Sequence, residues 1–275
     1  MCQVGRLCNK LEHGRDRVEK TLNHSREDWG LLSSLRMGVS LPTLPSIMRN
    51  SNLAFLAHLI LPLLIGCGGD APEQTEGPPP NPLLQAENFR ETAPPTYVAR
   101  LETTKGVIRI QVTREWAPLG ADRFYNLVRG GYYDGVTFHR VMPDFMAEFG
   151  IHGDPWVNQF WRQATMDDEP VRKPNIRGRV SFSKNEPNTR TVQVFINTDE
   201  NRSLDGQGFS PFGEVIEGME VVESLYSEYG ESPTRGGEGV YQAMAIAKGD
   251  EYLTEEFPLL DRIERAVVEE DGATG

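Results

Sequence analysis

The sequence predicts a mainly β fold for the C-terminal two thirds of the chain, a closed antiparallel barrel capped by two helices. Two observations support this prediction. Short apolar runs recur between turn residues, as strands of an antiparallel sheet do, and only two segments of this part of the chain place apolar residues at clear helical spacing. Because closure of a sheet removes its exposed edges, a barrel is favoured over an open sheet.

The first predicted element is a β-hairpin. Residues 97–102 and 107–112 both alternate apolar and polar side chains, and they flank the turn sequence Thr-Thr-Lys-Gly at 103–106. A period of two turns one face of each strand towards a core and the other towards solvent. The pattern therefore predicts two paired antiparallel strands at the start of the domain.

Two helices and several strands follow the hairpin. The first helix is expected to begin near Pro118, because proline suits the first helical turn, and to end at the two glycines 130–131. The second helix is predicted over residues 219–226, between two glycines. The acidic run 167–169 is interpreted as a solvated turn. The other apolar runs predict strands at residues 136–141, 179–183, 192–196 and 212–216.

Charge and cysteine content exclude several classes of protein. The chain of 275 residues has 28 Lys+Arg against 40 Asp+Glu, which gives a formal net charge of −12. No nucleic-acid partner is expected, because phosphate binding needs a concentration of basic residues that this chain lacks. The cysteines, Cys2, Cys8 and Cys67, all precede the predicted barrel. Neither a disulfide framework nor a cysteine-based zinc site is therefore expected in it.

Residues 48–66 are interpreted as an export signal. The apolar run 53–65 would span only about 20 Å as a helix, which is too short for a bilayer core of about 30 Å and typical of a signal peptide. The sequence Leu-Ile-Gly-Cys at 64–67 resembles the lipobox of bacterial lipoproteins, in which the cysteine is lipidated. Cys67 is therefore the predicted lipidation site. A buried core helix is the alternative, which the prolines in and after the run disfavour.

The signal divides the chain into further segments. Residues 1–47 show no clear periodicity and are predicted to be an over-extended, unstructured N-terminus, with translation starting at Met48 or, as the alternative, at Met37. Residues 67–96 are rich in proline and are predicted to form an extended tether, and residues 97–275 the folded domain. The expected location is the bacterial cell envelope, exported and lipid-anchored. By analogy with other lipoproteins, Gly68 after the cysteine favours the periplasmic side of the outer membrane.

Five sequence motifs occur in order within the predicted barrel. The longest, Phe-His-Arg-Val-Met-Pro-Asp-Phe-Met at 138–146, resembles the central motif of cyclophilins, the peptidyl-prolyl cis-trans isomerases. The others are Asn-Thr at 188–189, Gln-Val-Phe-Ile at 193–196, Leu-Asp-Gly at 204–206 and Phe-Gly-Glu-Val at 212–215. The resemblance covers about residues 97–229 and implies an eight-stranded cyclophilin-like barrel with a last strand at 262–268. Residues 230–257 would be an extra C-terminal helical insertion, with a helix around 252–257.

The activity that this resemblance implies needs neither a nucleophile nor a metal, and no cofactor is expected. An X-Pro bond isomerises over a barrier of roughly 20 kcal/mol, which takes tens of seconds or longer. In the transition state the twisted amide nitrogen loses its resonance and becomes more basic, so a fixed donor near it stabilises that state selectively. Arg140 is the predicted catalytic residue, because a guanidinium stays protonated and carries several donors in rigid geometry.

A substrate also needs an apolar slot for its proline ring. The resemblance assigns substrate-binding positions to His139, Phe145, Met146, Glu148, Ser183, Lys184, Gln193, Phe195, Leu204 and Phe209. Ordinary explanations compete, because an arginine in a strand is usually ion-paired or solvated and large apolar residues are core by default. A metal site at His139, His152 and Asp154 is a weaker alternative, since only two histidines follow the signal and the family uses no metal.

Two residues depart from the family's pattern. Glu148 stands where cyclophilins usually have glutamine, and Lys184 stands where they usually have asparagine. An ionised carboxylate only accepts hydrogen bonds, so Glu148 could either hold Arg140 or compete with the substrate for its donors.

Three functions therefore remain open. The first is a prolyl isomerase acting on exported proteins, and the second is a proline-binding chaperone or interaction module with weak or no catalysis. The third is an unrelated barrel, which the ordered motifs disfavour. The expected partners are proline-containing peptides, unfolded exported proteins and, through the lipid anchor, a membrane. The protein is expected to be a monomer.

Overall fold

A computed structural model describes residues 80–269, whose strands form one antiparallel sheet. The strands are β1 (Thr96–Thr103), β2 (Gly106–Thr113), β3 (Arg140–Met142), β4 (Met146–Phe149), β5 (Arg179–Phe182), β6 (Val194–Asn197), β7 (Pro211–Glu217) and β8 (Ile263–Glu269). Their order across the sheet is β3-β4-β6-β5-β7-β2-β1-β8, and every pairing is antiparallel. The prediction of a mainly β, eight-stranded antiparallel fold is confirmed.

The two edge strands, β3 and β8, meet through the residues that precede them. Thr137 and Arg262 form an isolated antiparallel bridge. Beside it, the Phe138 N–H donates to the Asp261 carbonyl at 2.8 Å, and the Ile263 N–H donates to the Val136 carbonyl at 2.8 Å. Within residues 80–269 the edges are thus joined by a short bridge rather than by a continuous ladder.

The predicted hairpin is the longest strand pair. β1 and β2 pair from Thr96 opposite Thr113 to Thr103 opposite Gly106, and alternate residues of both strands are buried. The inward side chains join a main core that also takes in the buried aromatic residues of the other strands. Helix α1 (Pro118–Arg129) covers this core by packing against β7 and β8.

The N-terminus of α1 is capped from a distant part of the chain. The helix has no side-chain cap of its own, and the carboxylate of Glu169 accepts hydrogen bonds from the Leu119 N–H at 2.7 Å and the Gly120 N–H at 3.0 Å. Glu169 also pairs with the buried Arg190. Asp167 is exposed, as a solvated turn would have it. For Glu169 that interpretation is wrong, because the free helical N–H groups and a buried guanidinium both need an acceptor.

Four shorter helices complete the domain: α2 (Pro155–Trp161), α3 (Met219–Glu223), α4 (Gln242–Lys248) and α5 (Asp250–Glu256). α3 lies where the second capping helix was predicted and is three residues shorter, and α5 begins two residues before the helix expected around 252–257. α2 and α4 were not predicted. Each spans only seven residues, which leaves little periodicity to detect.

The segment 226–260, which contains α4 and α5, has an apolar cluster of its own. Its buried members from the segment are Val240, Ala245, Leu253, Phe257 and Leu260, and Ile151, which follows β4, packs with them. Asp261 ties the start of the segment to the barrel, because its carboxylate accepts from the Tyr226 N–H at 2.7 Å and from the Thr104 hydroxyl at 2.7 Å. The segment is therefore a packed extension of the barrel. It includes the predicted insertion 230–257, and from here on the C-terminal insertion means residues 226–260.

The chain before β1 differs from the predicted tether. Short 3₁₀ helices form at Pro82–Leu84 and Ala86–Phe89. The Trp161 indole N–H donates to the Leu83 carbonyl at 2.9 Å, and the Phe89 and Trp161 rings pack edge to face at 4.9 Å. The extended conformation expected over residues 67–96 does not hold for the last part of that range, because apolar side chains there can be buried against α2.

Other predictions concern residues outside the described part of the chain. They are the over-extended N-terminus 1–47, the signal 48–66, the lipidation site Cys67 and the first half of the tether. Within residues 80–269, no helix combines the length and the apolar character that crossing a bilayer requires.

Candidate functional site

One groove on the barrel collects nearly all the predicted site residues. It is a cavity of about 1240 Å³ lined in part by residues of strands β3, β4 and β6. Its lining includes Arg140, Phe145, Met146, Glu148, Ser183, Lys184, Gln193, Phe195, Leu204 and Phe209. Residues from five separate sequence motifs and loops therefore meet in one concave surface, which is the usual form of a ligand site.

The floor of the groove is an apolar pocket formed by Met146, Phe195 and Leu204. These side chains are 2%, 4% and 9% exposed, and they form a cluster separate from the main barrel core. Phe145 and Phe209 pack around the cluster, and the Phe209 ring meets the Phe195 ring edge to face at 5.7 Å. The alternative that these residues are ordinary barrel core does not hold, because they line the groove instead.

Arg140 lies on β3, directly opposite Glu148 on β4. This cross-strand pairing brings Nη1 of Arg140 within 3.3 Å of Oε2 of Glu148. The other carboxylate oxygen of Glu148 accepts from the Ser183 hydroxyl at 2.6 Å. The guanidinium carbon also lies 5.6 Å from the centre of the Phe145 ring, within cation–π distance. Of the two roles considered for Glu148, the structure shows the pairing with Arg140.

A second carboxylate, that of Glu231, binds the same guanidinium. Nε of Arg140 donates to Oε1 at 2.8 Å and Nη2 donates to Oε2 at 2.6 Å, a bidentate pair. Burial acts to lower the pKa of Arg140, but the hydrogen bonds that Arg140 donates to Glu231 and the charges of Glu148 and Glu231 outweigh it and raise that pKa. We call Glu148 and Glu231 the carboxylate clamp. Arg140 is therefore a permanently charged group with fixed orientation.

Sequence reasoning missed Glu231. It lies 91 positions after Arg140 in the chain, in the insertion rather than in a motif, and no local pattern pairs the two. The signal that was present is the sequence Gly-Glu-Ser-Pro-Thr-Arg-Gly-Gly-Glu-Gly at 230–239, whose glycines and proline indicate a tight ordered loop.

Lys184 lines the groove but is already paired. Its ammonium lies 2.7 Å from Oδ2 of Asp168 and 5.5 Å from the centre of the Phe209 ring. Asp168 in turn faces the buried Arg190, with 3.7 Å between Oδ1 and Nε. The lysine that replaces the expected asparagine is thus held by a carboxylate from outside the sequence motifs.

His139 was predicted to bind substrate and does not line the groove. It is 2% exposed, and its Nε2 lies 3.5 Å from Nε2 of Gln242 on α4. Burial lowers the pKa of His139, and Glu148 only partly opposes this. The prediction that His139 binds substrate is wrong: His139 precedes β3 and its buried ring lies beside Gln242, whereas Arg140, the first residue of β3, lines the groove.

Helices α2 and α4 form an outer wall of the groove that the motifs did not indicate. Trp156 on α2 and Tyr241 at the start of α4 both line it, with exposed fractions of 47% and 40%. Both lie outside the five sequence motifs, within residues 150–178 and 230–257. The groove therefore continues beyond the apolar pocket along a partly aromatic surface.

Comparison with known proteins agrees with this geometry. The family described as cyclophilin type peptidyl-prolyl cis-trans isomerase/CLD matches residues 98–248. Peptidyl-prolyl cis-trans isomerase A of Dickeya dadantii is 32% identical over 130 residues, 46% of this chain and 68% of that protein. Peptidyl-prolyl cis-trans isomerase-like 3 of Homo sapiens is 35% identical over 131 residues, 46% of this chain and 79% of that protein.

Among solved structures, cyclophilin AquaCyp293 from Hirschia baltica aligns with a TM-score of 0.47 and 22% identity, over 67% of this chain and 78% of that chain. The family profile spans more than half of the chain and takes in the groove, including Arg140 and the apolar pocket. The chain therefore belongs to the cyclophilin-type peptidyl-prolyl cis-trans isomerase family.

Proposed function

We propose that the chain catalyses cis-trans isomerisation of X-Pro bonds, with Arg140 as the catalytic residue and the apolar pocket as the seat of the proline ring. One contact carries the proposal. Nη1 of Arg140 lies 3.7 Å from the sulfur of Met146, which is part of the pocket wall. A proline ring held in the pocket would therefore place its nitrogen beside the guanidinium.

The chemistry follows from that placement. As the X-Pro bond twists, its nitrogen regains a lone pair, and an N–H of Arg140 can donate to this lone pair only in the twisted state. Arg140 is charged near neutral pH, because an arginine is ordinarily protonated there and the pKa of Arg140 is raised further by Glu231 and Glu148. The donor is also preorganised by the carboxylate clamp, so little reorganisation accompanies the reaction.

The decisive test is Arg140→Ala in the purified full-length chain. We expect a loss of about 10²- to 10³-fold in kcat/KM, the usual effect of removing one preorganised donor, in a protease-coupled assay of proline peptides. Arg172→Ala is the matched control, because Arg172 is exposed and forms no ion pair among the described residues. Equal rates for both variants would reject the catalytic role of Arg140.

A second function is favoured by a specific observation. Three of the five N–H groups of Arg140 already face carboxylates, which would leave the groove able to bind proline while accelerating isomerisation weakly. In that case the protein is a proline-binding chaperone or interaction module. Titration of a proline peptide by NMR separates the two functions, because the module binds the peptide without exchange between its cis and trans resonances.

We also propose that the substrates are exported proteins and that Cys67 carries a lipid anchor in the bacterial envelope. The support is the sequence Leu-Ile-Gly-Cys at 64–67 after an apolar run. Radiolabelled lipid should be incorporated into the wild-type chain in cells and be absent from Cys67→Ser. Cys8→Ser is the matched control, and labelling that persists in Cys67→Ser would reject the anchor.

A further inference from the structure

We propose that Glu231 is a positioning residue for catalysis, which holds the guanidinium of Arg140 so that its remaining N–H groups face the apolar pocket. This inference rests on the proposed isomerase activity. It assigns to the C-terminal insertion a part in the active site, beyond the residues that the barrel motifs supply.

The first support is the geometry of the pair. The Glu231 carboxylate accepts from Nε of Arg140 at 2.8 Å and from Nη2 at 2.6 Å, whereas Glu148 accepts from Nη1 at the longer distance of 3.3 Å. A bidentate pair fixes the plane of a guanidinium, whereas a single contact leaves it free to turn. The outer edge, which Glu231 does not use, is the edge next to Met146.

The second support is the rigidity of the loop that carries Glu231. The Ser232 N–H donates to Oε1 of Glu231 at 2.8 Å, which fixes the carboxylate itself. The Gly239 N–H donates to the Glu231 carbonyl at 2.8 Å. A Cβ at Gly239 would lie only 2.7 Å from the Gly230 carbonyl, so the loop closes on itself in a way that requires glycine there.

The third support is the anchoring of this loop. The insertion is held by its own apolar cluster, to which the barrel contributes Ile151 and the insertion contributes Val240 and Leu253. Val240 directly follows the loop, so a packed side chain fixes its end. Glu231 is thus presented by a folded element rather than by a free surface loop.

An ordered arginine matters for the rate. A free arginine side chain loses rotamer entropy when it is fixed, and a misplaced catalytic group lowers the rate even when it is still present. Glu231 is 20% exposed and Arg140 is 10% exposed in their side chains, so water competes little with the pair. The folded protein therefore orders Arg140 before the substrate arrives.

The test compares Glu231→Gln with Glu238→Gln in the full-length chain. Both variants remove one carboxylate from the same loop, but Glu238 is exposed and has no bond to Arg140. We expect Glu231→Gln to lower kcat about tenfold with less than a threefold change in KM, and Glu238→Gln to leave both unchanged. In the Arg140→Ala background, Glu231→Gln should have no further effect, since Glu231 acts through the arginine.

A second measurement is independent of activity. The Nε–H resonance of Arg140 in ¹⁵N-labelled protein should be sharp and protected from exchange in the wild type and in Glu238→Gln, and lost or shifted in Glu231→Gln. An Nε–H resonance that is unchanged in Glu231→Gln would overturn the inference. So would an unchanged or increased kcat in that variant, or an equal effect in the Arg140→Ala background. An inactive wild type would instead overturn the proposed function, and the inference with it.

Discussion

The two sides of the groove differ in origin. The apolar pocket of Met146, Phe195 and Leu204 is built by the barrel and its adjoining loop. The carboxylate clamp on Arg140 is shared, because Glu148 comes from the barrel and Glu231 from the C-terminal insertion. The apolar side of the groove thus depends on the barrel and its adjoining loop, whereas the electrostatics around Arg140 depend partly on the segment 226–260.

The largest expected effect on the pocket side is that of Phe195→Ala. Removing a buried aromatic ring forfeits roughly 1.5–3 kcal/mol of apolar contact, so KM should rise about tenfold or more while kcat falls less. Phe195→Leu keeps much of the apolar volume and is expected to stay within about threefold of the wild type. Steady-state kinetics on a proline peptide, with thermal unfolding as a check of folding, make the comparison. A kcat effect without a KM effect would contradict the division between the two sides.

On the clamp side, Glu148→Gln tests what the second carboxylate contributes. Glutamine retains an acceptor for Ser183 but lacks the negative charge that Glu148 places beside the guanidinium of Arg140. Glu231 continues to orient that guanidinium. We expect kcat/KM to rise about threefold to tenfold, the direction opposite to that of Glu231→Gln. The two carboxylates of the clamp would then have distinct roles, Glu231 to orient and Glu148 to attenuate. A fall of the same size in both variants would show that they act alike.

His139 also lies between the two sides, because it precedes Arg140 in the chain and its Nε2 lies 3.5 Å from Nε2 of Gln242 in the insertion. Burial lowers the pKa of His139, and burial lowers that of His152 as well. The unfolded chain therefore binds more protons than the folded one below about pH 6.5, so stability should decrease as the pH falls through that value.

We expect the melting temperature to be a few degrees lower at pH 5.5 than at pH 7.5, and this difference to shrink in His139→Gln. Thermal unfolding at both pH values, followed by circular dichroism, measures it. Carboxylates change charge mainly below this range. An identical pH difference in His139→Gln and the wild type would show that His139 does not contribute.

The smallest effect is expected from Lys184→Asn, which introduces the asparagine that the sequence resemblance led us to expect at this position. The ammonium of Lys184 is held by Asp168 at 2.7 Å, so it should contribute little to substrate binding. We expect KM and kcat to stay within about threefold of the wild type. A larger change in KM would mean that Lys184 leaves Asp168 to contact the peptide.

The sequence predicted the barrel and the pocket well, and for a physical reason. Residues such as Arg140 and Met146 lie in one continuous motif, and the alternation of a hairpin such as 97–112 is visible without knowledge of the fold. The resemblance therefore placed ten of the eleven proposed catalytic and substrate-binding residues in the groove. The exception, His139, precedes β3, and its side chain is buried beside Gln242 instead of lining the groove.

What could not be predicted depends on contacts between distant segments. Glu231 on Arg140, Glu169 on the first turn of α1 and Asp168 on Lys184 each satisfy a polar group that lies far away in the sequence. Charged residues in such segments are indistinguishable from solvated ones until the fold brings them together. The packing of Leu83 and Phe89 on α2 was hidden for the same reason, since a proline-rich stretch gives no periodic signal.

The joint at Asp261 has a consequence for how such a site can change. Its carboxylate accepts from Tyr226, where the C-terminal insertion starts, and Asp261 itself follows the end of that segment. Because the two ends lie side by side, the insertion could be replaced as a unit. A shorter connection would differ only slightly in loop-closure entropy, and the register of β7 and β8 would not need to change. Replacing this segment would change the electrostatics around Arg140 while the barrel strands keep their pairing.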